Sequence, residues 1–335
     1  MSSPTSTQML QMLNSFLTVQ AVYVAATLGV ADLMAGGPKS VEELAQTTGA
    51  HTASLYRLLR MLAGAGVFQE DADGRFSLTP LGETLRRDGP QSVRDWALYV
   101  GAPDMWQVWA GLKDSVMTGE AAFPRVHGKR LWEYMAEHSE LRGPFDSWMS
   151  RQSDQHNAAL RTSYDFTSFG TVADIGGGTG STLAAILVAN PSLKGILLDL
   201  PQVVADPAPL EDAGVADRCK VIGGDMLQRV PSGADAYIVK RVLMDWGDEQ
   251  AAKILRNCAE AMPEDGKVLV VEMVLPPGNE PTPGKPFDVL MLLMHPGARI
   301  RTEAELGHLF VTAGLRLNKV IATPSPNNIL EGVRA

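Results

Sequence analysis

The sequence predicts an α/β protein, a Rossmann-like doubly wound sheet preceded by a helical domain with a winged-helix pattern. Three observations carry that prediction. An acid and three glycines at alternate positions, Asp174-Ile175-Gly176-Gly177-Gly178-Thr179-Gly180, close one apolar run and open a helical stretch at 181–189. Four further short apolar runs follow, with a helical spacing between the last two. The first hundred residues instead read helix, turn, helix, hairpin. At 335 residues the chain is long enough for two domains.

In chain order, residues 9–33 come first, long, apolar and helix-prone, with Leu10, Leu13, Phe16 and Leu17 among them. A helix this apolar needs a partner surface, and a second copy of the chain supplies one. Ser40-Val41-Glu42-Glu43 then reads as a capping box opening a helix that ends at Gly49. A second helix spans 51–62, with Leu55, Leu58, Leu59 and Leu62 on one stripe. Val67-Phe68-Gln69 and Arg75-Phe76-Ser77-Leu78 flank an acidic turn suited to a β-hairpin. This winged-helix pattern is commonly used to bind DNA. The charges argue against that use here. The second helix offers only Arg57 and Arg60, the hairpin tip carries Glu70, Asp71 and Asp73, and the net charge is −9. Phosphate binding needs a basic surface, so nucleic acid is not expected as a partner.

The glycine turn lets a backbone approach a ligand with no Cβ in the way. Its spacing selects the ligand. A dinucleotide fingerprint needs G-x-G-x-x-G, and from Gly176 the sixth position is Ser181. The pattern is D-x-G-x-G-x-G, the form associated with S-adenosylmethionine. Gly195-Ile196-Leu197-Leu198-Asp199 ends in an acid about twenty residues on, where such sheets place a carboxylate for ribose hydroxyls. Lys220-Val221-Ile222-Gly223 leads into Gly224-Asp225-Met226, Ala236-Tyr237-Ile238-Val239 ends in Lys240, and Lys267-Val268-Leu269-Val270-Val271 ends in Glu272. Such apolar, β-branched runs suit strands buried on both faces of a parallel sheet. Between the last two, Ala252, Leu255, Ala259 and Met262 recur at helical spacing. Ligands bind beyond the carboxyl ends of such strands, so Asp174, Asp199, Asp225 and Lys240 should collect around one crevice.

Composition fits an enzyme of a reducing, cytoplasmic compartment. Apolar residues make up 45% of the chain, enough for packed cores. Cys219 and Cys258 stand alone without metal spacing, so neither a metal site nor a disulfide framework is expected. No basic segment with an apolar core opens the chain, and no uninterrupted apolar run reaches about 18 residues. Neither secretion nor membrane spanning is expected on those grounds.

With these residues in view, nearly the whole chain resembles the small-molecule O-methyltransferases that use S-adenosylmethionine, the group of plant caffeate and bacterial antibiotic-tailoring enzymes. It is similar to bacterial phenazine methyltransferases along 223–231 and 257–266. The strings that carry the resemblance are Val172-Ala173-Asp174 with its glycines, Leu198-Asp199-Leu200-Pro201, Gly224-Asp225-Met226, and Asp245-Trp246 followed by Asp248-Glu249. The resemblance implies a winged-helix dimerisation domain at 1–105 and a helical connector lining the substrate pocket at 106–160. It places a class I methyltransferase sheet at 161–335. A homodimer follows, with S-adenosylmethionine as cofactor and S-adenosylhomocysteine as product. Carried over residue by residue, Gly176 lies against the methionine portion and Ser153 bonds its carboxylate. Asp199, with Leu200 beside it, accepts from the ribose hydroxyls. Asp225 takes the adenine amino group with Met226 against the ring, and Lys240 and Trp246 border the adenosine. A flat aromatic acceptor falls to Trp106, Phe145, Met149, Met244, Asp245, Met291 and His295.

The catalytic position departs from the family. There the motif is Leu-His-Asp-Trp, and the histidine takes the proton of the acceptor hydroxyl; here it is Leu243-Met244-Asp245-Trp246. A thioether accepts no proton at a useful pH. Glu272 matches one acid that orients the family's histidine, and the second falls at Ile300. General-base help is worth about 10²–10⁴-fold, whereas positioning alone can contribute about 7–11 kcal/mol. An acidic hydroxyl or a ring nitrogen could therefore be methylated without the base. His295 is either an acceptor contact or a replacement base. Two alternatives stand beside methyl transfer: a relative that binds the cofactor but catalyses hydroxylation, decarboxylation or a pericyclic step, and a small-molecule-sensing winged-helix regulator.

Overall fold

A computed structural model describes residues 4–335 of the chain. The chain divides into two units, one formed by residues up to 110 with 132–149, the other by 111–131 with 150–335. The stretch 106–160, expected as one connector, is shared between them, and the helix Ser139–Ser163 contributes to both.

In the first unit the opening helix Pro4–Thr27 carries no charge in its first or last turn. Gly29, at φ 65°, separates it from the short helix Val30–Leu33, so the expected 9–33 span is two helices. The capping box forms as read. Ser40 in β1 (Lys39–Ser40) accepts the Glu43 N–H, Glu43 accepts the Ser40 N–H, and the helix Val41–Thr48 stops on Gly49 at φ 71°. The helix Thr52–Gly64 buries Leu55, Leu59 and Leu62. Strands β2 (Phe68–Glu70) and β3 (Arg75–Leu78) pair antiparallel, and β1 adds to β3. The Asp71 carboxylate accepts the N–H groups of Asp73 and Arg75, so this tip acid forms the turn.

The opening helix leaves its apolar side chains uncovered: Met9, Leu10, Met12, Leu13, Phe16 and Leu17 are 45–65% exposed. Residues Thr5–Thr27 have a mean hydropathy of 1.3 with 17% of the span buried, which by length and composition alone could cross a membrane. Thr, Gln, Asn and Ser interrupt the apolar residues, but no Asp, Glu, Lys, Arg or His does.

The second unit is built on a mixed sheet. Its strands are β4 (Thr171–Ile175), β5 (Lys194–Asp199), β6 (Cys219–Gly223), β7 (Ala236–Lys240), β8 (Lys267–Leu275), β9 (Arg301–Thr302), β10 (Leu315–Ala322) and β11 (Asn327–Arg334). Their order is β10-β11-β8-β7-β4-β5-β6, with β9 beside β8. Strands β4 to β8 are mutually parallel, as expected, while β11 and β10 return antiparallel. The expectation of burial on both faces holds for β4, β5 and β7 but fails for β6, where Lys220, Val221 and Gly223 are exposed. The cause is position: β6 lies at the sheet edge and pairs only with β5. One face is packed by the helices Asp248–Ala261 and Glu303–Thr312, the other by Ser181–Ala189 and the end of Ser139–Ser163. Strand order reverses at β4, between β5 and β7, and a doubly wound sheet opens its ligand crevice at such a point.

Candidate functional site

The glycine turn leaves the end of β4 and folds onto β5, where the N–H of Gly176 donates to Leu198 O at 2.8 Å. Gly176, Gly178 and Gly180 all have positive φ, a conformation that costs glycine nothing. A Cβ on Gly176 would meet Val242 at 2.8 Å and the Met226 sulfur at 3.4 Å, so the loop and Met226 leave only a side-chain-free cradle. Asp199 has each carboxylate oxygen on a backbone N–H, Oδ2 from Gly178 at 2.8 Å and Oδ1 from Leu200 at 2.7 Å. Two amides leave such a carboxylate about two further acceptor positions. Asp225 accepts the Leu227 N–H at 2.8 Å.

Behind the loop, Asp174 is buried, and among the described residues its Oδ2 has no hydrogen-bond partner. Burial pushes its carboxyl up to about 6 against the pull of Lys240. Burial likewise brings Lys240 down to about 8, with Asp174 opposing. The Lys240 ammonium donates to Asn157 Oδ1 at 2.7 Å, and Thr182 donates to the same oxygen at 3.0 Å. Asn157 and its buried neighbour His156 are site residues that the sequence reading missed. Ser153 lies half-buried on the same helix. An orphaned carboxylate oxygen, a spare pair of acceptor positions and a glycine cradle fit a ligand with a cationic end, ribose hydroxyls and a flat ring.

Met244 sits in the 3₁₀ turn Leu243–Asp245 that follows β7. Glu272, buried on β8, accepts the Met244 N–H through its Oε1 at 3.0 Å. Ile300 is buried, and its N–H donates to Asp288 at 2.7 Å. The turn is clamped by Arg301, a fully buried residue that sequence reasoning also missed. Its Nη1 donates to Leu243 O at 2.8 Å, its Nη2 to Trp246 O at 2.7 Å, and its Nε to Asp248 at 3.0 Å. No local motif marks it, because its partners lie on another part of the chain.

Burial is the largest influence on the two acids of this turn, raising Asp245 and Glu272 each to about 7. Both folded values lie above the ordinary 3.8 and 4.5. The folded chain therefore keeps protons that the unfolded chain releases. The corresponding stability is full below about pH 4 and is lost as pH rises through about 7. Glu272→Gln should flatten part of that decline. Melting curves from pH 5 to about 8 that fall equally in variant and wild type would show that Glu272 titrates normally.

On the acceptor side, Met291 is buried in the helix Gly284–Met294, and His295 closes it with its N–H on Met291 O at 3.2 Å. Burial, reinforced by Arg130, lowers the His295 imidazole to about 4. Trp106, Phe145 and Met149 belong to the first unit. There Trp106 lies 6.4 Å from the Phe16 ring, and Phe145 packs at 5.0 Å from Tyr99 and 5.6 Å from Trp132.

The doubly wound sheet, its side-chain-free turn and the acid at the end of β5 define a class I, S-adenosylmethionine-binding crevice. Comparison with known proteins gives the family. Residues 109–316 match an O-methyltransferase domain and residues 10–88 an O-methyltransferase dimerisation domain. The chain is 43% identical over 329 residues to phenazine O-methyltransferase PhzM of Lysobacter antibioticus, covering 98% of this chain and 96% of that one. The crystal structure of LaPhzM superposes with a TM-score of 0.90 at 42% identity, over 99% of this chain and 100% of the other. The neocarzinostatin-pathway O-methyltransferase NcsB1, solved with S-adenosylmethionine and 2-hydroxy-5-methyl naphthoic acid, gives 0.83 at 36% identity, over 95% and 96%. The protein belongs to the O-methyltransferase family and is an S-adenosylmethionine-dependent O-methyltransferase.

Proposed function

We propose that the enzyme methylates an already acidic hydroxyl on a flat aromatic secondary metabolite such as a phenazine, by positioning and without a general base. The observation that carries this reading is Met244 at the base position, with the Glu272 carboxylate taken by the Met244 N–H. His295 supports it too. Moving a proton from a phenol of pKa about 10 to an imidazole near 4 is uphill by about 8 kcal/mol. We assign His295 to acceptor contact, with Met244, Met291 and Asp245 beside it.

S-adenosylmethionine, when bound, supplies an electrophilic methyl group. Gly176 would accept the methionine portion and Ser153 its carboxylate. Asp199 and Leu200 would hold the ribose, Asp225 and Met226 the adenine, and Lys240 and Trp246 the adenosine edge. The unpartnered Asp174 oxygen suits the ligand's cationic end. The buried thioethers of Met244 and Met291 keep water from the acceptor's reacting edge. The proton leaves the hydroxyl to solvent before binding, so no side chain need take it.

A homodimer, located in the cytoplasm, belongs to the same reading. Its support is the exposed apolar helix Pro4–Thr27 and the dimerisation-domain match, and light scattering of the intact chain should read two copies.

The test is S-adenosylhomocysteine release across aromatic hydroxyls of graded acidity. The rate should follow the acceptor's own pKa. His295→Ala should raise KM and leave kcat within about threefold, since a contact made equally in ground and transition states moves only binding. Met244→His should help weakly acidic phenols most. A kcat loss of about 10²-fold or more in His295→Ala, recovered at high pH, would make His295 the base instead. Cofactor binding with no product from any acceptor would turn the reading to a different reaction.

A further inference from the structure

Arg241 is a candidate that none of these assignments uses. It follows β7 and precedes the turn that carries Met244, and among the described residues it is the only non-glycine with a left-handed backbone, at φ 54°. A long side chain gains nothing from that conformation, and such strain persists where the surroundings impose it, often at working sites. The bend is held by the Arg241 N–H on Val271 O at 3.0 Å. The guanidinium is then carried inward. Its Nε is buried with no hydrogen-bond partner among the described residues, and its central carbon lies 5.8 Å from the centre of the Phe287 ring, on the helix that also bears Met291.

The charged groups around it do not neutralise it. Asp245 on the turn and Glu272 on β8 act on its charge, yet neither forms an ion pair with it among the described residues. Both are driven toward their protonated forms by burial. Lys240 beside it carries the same sign, and His156 on the helix behind is held neutral by burial and by these two cations. A half-buried cation whose buried Nε lacks an acceptor gains when an anion meets it. No base stands at Met244 to ionise an acceptor, so an acceptor that arrives charged fits this environment.

We propose that Arg241 binds the acceptor as an anion, its guanidinium pairing with a negatively charged oxygen on the aromatic ring system. This rests on the methyl-transfer reading, and it narrows the acceptors to acidic aromatics. The charged oxygen has two sources, an ionised hydroxyl or a ring carboxylate, which share one chemistry and can be told apart.

The experiment uses the intact chain with three probes on one ring: 2-naphthol, 2-naphthoic acid and 3-hydroxy-2-naphthoic acid. Binding is followed by fluorescence, and ionisation of the bound hydroxyl by the naphtholate absorption band. If a carboxylate is the partner, Arg241→Gln should weaken both acids by about tenfold or more and spare 2-naphthol. If the hydroxyl is the partner, wild type should favour bound naphtholate at lower pH than in water, and Arg241→Gln should abolish that shift. Arg241→Lys should retain part of either effect. Arg241→Asn, which tolerates the left-handed backbone, should melt no lower than wild type while losing the same discrimination.

Equal binding and equal spectra in wild type and Arg241→Gln would overturn the proposal. So would an equal loss of S-adenosylhomocysteine affinity, which would place Arg241 with the cofactor. Failure of all three probes to bind wild type would remove the acceptor site and this assignment together. Methylation of acidic hydroxyaromatics by Arg241→Gln at the wild-type rate and with wild-type KM would sink this assignment alone.

Discussion

Arg301→Met is expected to lower the stability of the sheet unit by about 2–6 kcal/mol, because two carbonyls lose their donors at about 1–3 kcal/mol each. The Leu243 and Trp246 carbonyls bracket Met244 and Asp245, and Arg301 reaches both while fully buried. Its ion pair with Asp248 adds little, since that acid is 52% exposed. Arg301→Lys should recover only part of the loss, because an ammonium is a single point of charge and cannot span a planar fork's acceptors. The measurement is thermal or urea unfolding, with methyl transfer followed in parallel. A variant within about 1 kcal/mol of wild type would mean that other contacts hold the turn. Activity should fall more than stability alone explains, because the turn also carries the edge proposed for adenosine and acceptor.

Asp199→Ala is expected to weaken S-adenosylmethionine binding by about tenfold or more. The ribose would lose a charged acceptor. The structure adds a second reason. Asp199 also ties the glycine turn to the end of β5 through the Gly178 and Leu200 amides. Removing it takes away both the proposed ribose acceptor and the tether that shapes the loop. Asp199→Asn keeps one carbonyl acceptor and should fall between wild type and Ala. Calorimetry that finds affinity unchanged in Asp199→Ala would place the ribose elsewhere.

What the sequence determined by itself was everything decided within a few residues. The Ser40–Glu43 box, the stop at Gly49, the hairpin turn at Asp71 and the strand and helix limits around 181–189 and 236–240 rest on local chemistry. So does the crevice, because strand-end acids and a glycine turn declare themselves by spacing alone. Met244 at the position of the family's histidine reads from the string as well, since Asp245 and Trp246 keep the register around it.

Tertiary structure decided what depends on distant neighbours. The β6 run is as apolar as β4, yet it is exposed because the sheet ends there. The last two strands close the sheet as antiparallel pairs, β11 on β8 and β10 on β11. Glu272 accepts a backbone N–H 28 residues away, and Arg301 reaches a carbonyl 58 residues away, which no pattern in either string announces. Nothing in the sequence singles out Arg241. Only the fold turns its backbone left-handed and buries its Nε, because the cost of that arrangement is set by what packs around it and not by the residues beside it.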